Sequence, residues 1–218
     1  MLRRALLRVL VVVSVASSTV ATAGAEVDPA MDRLEALGGA LKAHPVWSAD
    51  YEQEYVPVGM TTGETAVGRV WLAWPDRALF HTGSPPVRLM GLEERVARLV
   101  DLEAGSCDEH RLSDREWQRV PLAAVLDPRA AVAHFSVLEL GNRGFMLVPR
   151  EPGGIDRVEV VLGDDGLPAE VVVVDPQGAV NRLRFSGWRP SVQPPDGVWL
   201  PRPPPDVECV SDPGALDG

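Results

Sequence analysis

The sequence predicts an α+β fold, a strongly curved antiparallel sheet whose concave side is covered by helices. Three observations carry this. From residue 46 to 103 the apolar residues follow period two, with tight turns and no helical stretch between segments, which indicates a meander rather than alternating α/β units. Ahead of them a single segment has helical spacing. A more helical interruption, from 113 to 135, then divides the first run of strands from a second.

The helix comes first. Asp28 is its expected N-cap and Pro29 its first position, and Ala30, Leu34, Leu37 and Leu41 recur at i, i+4, i+7 and i+11. Gly38 and Gly39 weaken it by about 1 kcal/mol each relative to Ala. In the first strand Trp47, Ala49, Tyr51, Gln53 and Tyr55 alternate with Ser48, Asp50, Glu52 and Glu54. The next run, 68-GRVWLAWPDRALF-80, is different, because both alternating faces are apolar: Val70, Leu72 and Trp74 on one, Trp71 and Ala73 on the other. Pro75 and Asp76 turn the chain into a third strand, 77–82, and two more follow at 87–94 and 96–103. Ser113 and Glu116 have capping-box spacing, and 121–128 and 129–135 are short apolar segments of helical character. Strands resume at 144–149, 157–163, 169–174 and 179–188, joined by turns at Asp164-Asp165-Gly166 and Asp175-Pro176-Gln177-Gly178. The tail from 199 is proline-rich and extended, with a last strand expected at 207–210 and a flexible end at 211–218.

Residues 1–25 are expected to be a signal peptide: Arg3, Arg4 and Arg8 precede the apolar run 9–16, and small residues at 21–25 suit cleavage after Ala23 or Ala25. That apolar run is much shorter than the ~20 residues a membrane span needs. The remaining 26–218 suits one domain. Cleavage would remove three arginines and no acid, moving the formal charge from −10 to −13. Nucleic acid is therefore an unsuitable ligand, since phosphate binding needs clustered cations. In an oxidising compartment Cys107 and Cys209 are expected to form a disulfide. A metal site at Cys107 with Asp108, Glu109 and His110 finds no second Cys/His cluster to support it, and no metal is expected.

Five short motifs, in order, resemble the outer-membrane lipoprotein carrier family LolA: W-S-A-D-Y-E-Q from Trp47, G-R-V-W-L-A-W-P from Gly68, L-A-A-V-L-D-P from Leu122, F-M-L-V-P from Phe145 and V-V-V-D-P-Q-G-A-V-N-R-L-R-F from Val172. The resemblance implies a half-open β-barrel under a helical lid, with an apolar cavity for acyl chains. It also implies a periplasmic, monomeric carrier that receives lipoprotein or another acylated lipid from an inner-membrane transporter and passes it to an outer-membrane acceptor. On the first three strands the expected cavity residues are Trp47, Ala49, Tyr51, Val70, Leu72, Trp74 and Phe80. Leu89 follows on the fourth, Leu122 and Leu126 in the lid segment 122–135, and Phe145 and Leu147 beyond it. The other face of the second strand is expected against helix. Which of Val70, Leu72 and Trp74, or Trp71, shares a face with the first strand is left open by the sequence. Family members often carry an arginine before the proline of the second strand, where it bonds the lid; Trp74 stands there instead.

G-x-S-x-G, H-E-x-x-H, P-loop and G-x-G-x-x-G motifs are all absent, and His44, His81, His110 and His134 are scattered, so neither catalysis nor a cofactor is expected. The alternative is an envelope sensor or adaptor that uses the same half-barrel to bind a lipid signal or a protein partner without transfer.

Overall fold

The Asp28 side chain accepts hydrogen bonds from the backbone N–H groups of Ala30 and Met31, and this starts α1 (Pro29–Lys42). Its apolar stripe, Ala30, Leu34, Leu37 and Leu41, is buried throughout. The protein is described here by a computed structural model that covers residues 28–212, except 119, 121, 122, 125, 126, 195 and 196. The signal-peptide reading and the two lid residues Leu122 and Leu126 lie outside the described residues. Among those described, no helix is long and apolar enough to cross a membrane.

Among the described residues, twelve strands form one sheet. The first meander is β1 (Val46–Val56), β2 (Glu64–Ala73), β3 (Arg77–Thr82), β4 (Arg88–Glu93), β5 (Val96–Asp101) and β6 (Ser106–Arg111). The second is β7 (Phe135–Leu140), β8 (Gly144–Pro149), β9 (Arg157–Leu162), β10 (Pro168–Val174) and β11 (Val180–Ser191). Antiparallel pairing of β1 with β11 joins the two, giving the order β12-β6-β5-β4-β3-β2-β1-β11-β10-β9-β8-β7. At one edge β12 (Val210–Asp212) runs parallel to β6.

One strand goes unread in the sequence, and two expectations about element bounds need correction. β6 escapes a periodicity reading because Ser-Cys-Asp-Glu-His-Arg has no apolar alternation. The segment 129–135 is helical only at its start: α3 (Pro128–Ala131) ends before Phe135, which opens β7 and is fully buried. The last strand lies at 210–212 instead of 207–210, so Ser211 and Asp212 belong to the sheet edge and not to a loose tail.

The register sorts every side chain onto two faces. On one, Phe135, Phe145, Leu147, Val158 and Val160 form a core with the stripe of α1; this is the helix face. After β6 the chain returns to β7 along this face. Its first piece, α2 (Asp114–Trp117), closes the expected capping box between Ser113 and Glu116. Glu116 also lies 3.1 Å from the imidazole Nε2 of His110. The Ser113 N–H, then its hydroxyl, then His110 hold the Glu116 carboxyl below its ordinary range. Further on, Ala124 and Ala131 pack into the α1 core.

The opposite face answers why Trp71 and Ala73 are apolar. Ser48, Trp71, Leu79, Gly91, Arg98 and Glu109 stand in one row across six strands. Over it runs the extended tail, whose Trp199 packs with Val46, Trp71, Ala73 and Leu79. Leu200 and Pro201 pass over Gly91, and Arg98 donates to the Pro201 carbonyl at 3.2 Å. The Cys107–Cys209 disulfide fastens this strap to β6. The second face of β2 is therefore covered by the strap, in place of the helix the resemblance implies. Further along the same face the strands are wet. Glu52 and Arg184 are 3.1 Å apart, Glu54 and Arg182 2.9 Å, and Glu170 and Arg184 3.2 Å.

Candidate functional site

The register settles which residues of β1 and β2 share the helix face: Trp47 stands opposite Leu72 and Ala49 opposite Val70, while Trp71 points to the strap. The row Ala49–Val70–Phe80–Met90–Leu99 crosses five strands, four inter-strand spacings or about 19 Å. Beside it runs a second row, Trp47–Leu72–Ala78–Leu92–Ala97. Ala49 and Val70 are fully buried by larger neighbours, but burial falls toward the β6 edge, and Met90 is 45% exposed. α1 packs on β7, β8 and α3, and of the floor residues Trp47 and Leu72 pack against its core.

Tyr51 shapes the floor. Its ring lies across β2 because Gly68, its partner in register, has no side chain. The hydroxyl thereby reaches Thr82 Oγ1 on β3 at 2.6 Å. Burial pushes the phenol pKa up. Phe80 meets the ring edge-on at 5.7 Å, and Phe185 and Trp188 continue the aromatic surface on β11. A Cβ at Gly68 would stand 2.6 Å from the Tyr51 ring and closer still to the His81 carbonyl. Gly68→Ala should cost about 1–3 kcal/mol by overpacking and release Tyr51 from Thr82. The measurements are urea unfolding and near-ultraviolet circular dichroism; an unshifted midpoint would show that the sheet yields freely there.

Two polar boundaries enclose the floor. On one side are Thr82 and the Arg88–Asp101 pair, 3.1 Å apart. The Ala104 N–H, followed by the Arg88 guanidinium, holds the Asp101 carboxyl below its ordinary range. On the other side, past Leu72, Leu92 and Ala97, a cavity of about 380 Å³ is lined by Trp74, Lys42, Arg95 and Trp117 among others. The strap face has its own groove of about 680 Å³, but Asp50, Glu52, Arg69 and Arg184 line it and pair there.

Solved structures of similar shape exist. An uncharacterized conserved protein from Thermus thermophilus matches with a TM-score of 0.48 and 16% identity over 84% of this chain and 99% of that one. The LolA superfamily protein NE2245 from Nitrosomonas europaea matches with a TM-score of 0.41 and 10% identity, over 78% and 97%. A chain of the Pseudomonas aeruginosa MucA/MucB complex matches with a TM-score of 0.42 and 16% identity over 73% of this chain, which spans only 56% of that one. No protein-family model and no curated protein matches. At these identities and scores the likeness says nothing of function.

The expected cavity residues divide four ways. Trp47, Ala49, Tyr51, Val70, Leu72 and Phe80 come together on the floor. Phe145 and Leu147 share that face but are fully buried beneath α1, as closed core. Trp74 lies just past β2, half exposed, with the Lys42 Nζ 5.3 Å above its ring. Leu89 is on the wrong side: it stands in the row His81–Leu89–Val100, with the strap, because its strand is entered one residue out of phase from Met90. Met90, Leu92 and Leu99 are the floor residues a reading of β4 and β5 should have chosen, and only the pairing register distinguishes them.

Proposed function

We propose that this chain is a periplasmic carrier that shields the acyl chains of a lipoprotein or another lipid against the helix face of its sheet. The observation that carries the reading is the floor itself: two parallel rows of apolar side chains, bounded by polar groups, packed on the α1 core at Trp47 and Leu72 and exposed toward the β6 edge at Met90. Each methylene taken from water onto such a surface gains about 0.8 kcal/mol, so long chains bind and short ones do not. In this reading residues 1–25 are removed on export, 26–218 is one domain, and the segment between β6 and β7 acts as the lid. The disulfide fits an oxidising compartment. A monomer then takes its cargo from an inner-membrane transporter and yields it to an outer-membrane acceptor, without catalysis.

The test is mass spectrometry of organic extracts from protein purified out of a periplasmic fraction without detergent. A stoichiometric acylated lipid is expected in the wild type and none in Leu72→Glu, which places a carboxylate between the α1 core and the Ala49–Tyr51–Val70 cluster of the floor, both of which Leu72 touches. The variant should still unfold cooperatively, since Leu72 is only partly buried. Empty wild-type protein would sink the carrier reading and favour a sensor or adaptor with a protein ligand.

A further inference from the structure

The cavity at the end of the floor is unlike the floor. Trp74 follows Leu72 by two residues, so it prolongs the same face just beyond the end of β2. Trp117, at the end of α2, forms part of the opposite wall. Two cations enter between them. Lys42, the last residue of α1, is the single lysine in the chain. Its ammonium lies 5.3 Å over the Trp74 ring. Arg95 comes from the β4–β5 turn, and its one ion pair among the described residues is with Asp114, a side chain 80% exposed. Asp76 and Asp127 stand on the remaining wall.

The β4–β5 turn is itself unusual. Glu93 pairs with Val96, leaving Glu94 and Arg95 as a two-residue loop with φ of +48° and +66°. Such loops favour Asn and Gly, because a β-carbon is strained there. Arg95, a long side chain, is held in this conformation at the cavity wall.

We propose that this cavity binds the phosphate diester of a glycerolipid whose chains lie on the adjoining floor. Lys42 supplies a point charge held in place by Trp74, and Arg95 a planar donor fork that exchanges its exposed partner for phosphate oxygens. The two indole rings sit where the head meets the chains, the position that amphipathic aromatic rings favour. This inference rests on the carrier reading, since it concerns the polar end of the same ligand.

The experiment compares binding of pyrene-labelled phosphatidylglycerol with that of pyrene-labelled diacylglycerol of the same chains, in the wild type and in Lys42→Gln. The wild type should prefer the phospholipid, and Lys42→Gln should lose about fivefold of that preference while binding diacylglycerol unchanged, the scale of one partly exposed charge pair. Phospholipid, but not diacylglycerol, should also protect the lone ε-amine from reductive methylation. Lys42→Arg should restore the preference. Equal wild-type affinities, or an equal loss for both lipids in Lys42→Gln, would overturn the headgroup site and leave the floor intact. Binding of neither lipid would overturn the carrier reading and this inference with it. Glycerol phosphate binding as tightly as the phospholipid would mean a free phosphate-ester site unconnected to the floor.

Discussion

Gly91→Ala is expected to loosen the whole strap. Its added Cβ would lie well inside the van der Waals contact distance of the Trp199 carbonyl oxygen and 3.1 Å from the Leu200 Cα. Those are backbone atoms of a segment pinned on both sides, by Trp199 in its apolar pocket and by the disulfide at Cys209. Neither side can step aside by rotating a side chain. The cost should reach the upper part of the overpacking range, about 3 kcal/mol, seen as a lower urea midpoint with an unchanged slope. A loss below about 0.5 kcal/mol, the ordinary surface value, would show that the strap rides freely over β4.

The disulfide should matter as much. Cys107 and Cys209 close a loop of 102 positions, for which the chain-entropy account gives about 4–5 kcal/mol. Cys209→Ser, or reduction of the wild type, should lower stability by most of that amount in guanidinium unfolding. The double variant with Gly91→Ala should lose less than the sum of the two, because both changes release the same segment. Strict additivity would mean that the strap and the bond act on separate parts of the molecule.

Much of this architecture is legible in the chain. Alternation from Trp47 to Tyr55 and from Ala30 to Leu41 marks β1 and α1 because each buries one face against a single partner. The Asp28 and Ser113 caps are local chemistry and were readable as such. What escaped depends on neighbours distant in sequence. β6 is polar and owes its place to pairing with β5 and β12. Leu89 and Met90 are adjacent and equally apolar, yet only one reaches the floor, and pairing with β3 decides which. The strap was recognisable as extended but not as a cover. The clue was present: Trp71 and Ala73 on the second apolar face of β2, a glycine in the middle of β4, and a tryptophan in the proline-rich tail.

The pairing of β1 with β11 has a consequence for how the protein comes into being. Glu54 and Arg182, joined across that seam, are 128 residues apart. A chain that emerges amino end first presents β1 and β2 long before β11 exists, with Trp47, Tyr51, Val70 and Trp71 in water. The first meander can form its hairpins, but neither of its faces closes until the last third of the chain arrives. One face waits for β11 and the α1 core, the other for Trp199. Folding dominated by such distant contacts is slow and exposes apolar strands meanwhile. Maturation of this protein is thus a matter of waiting for its carboxyl end.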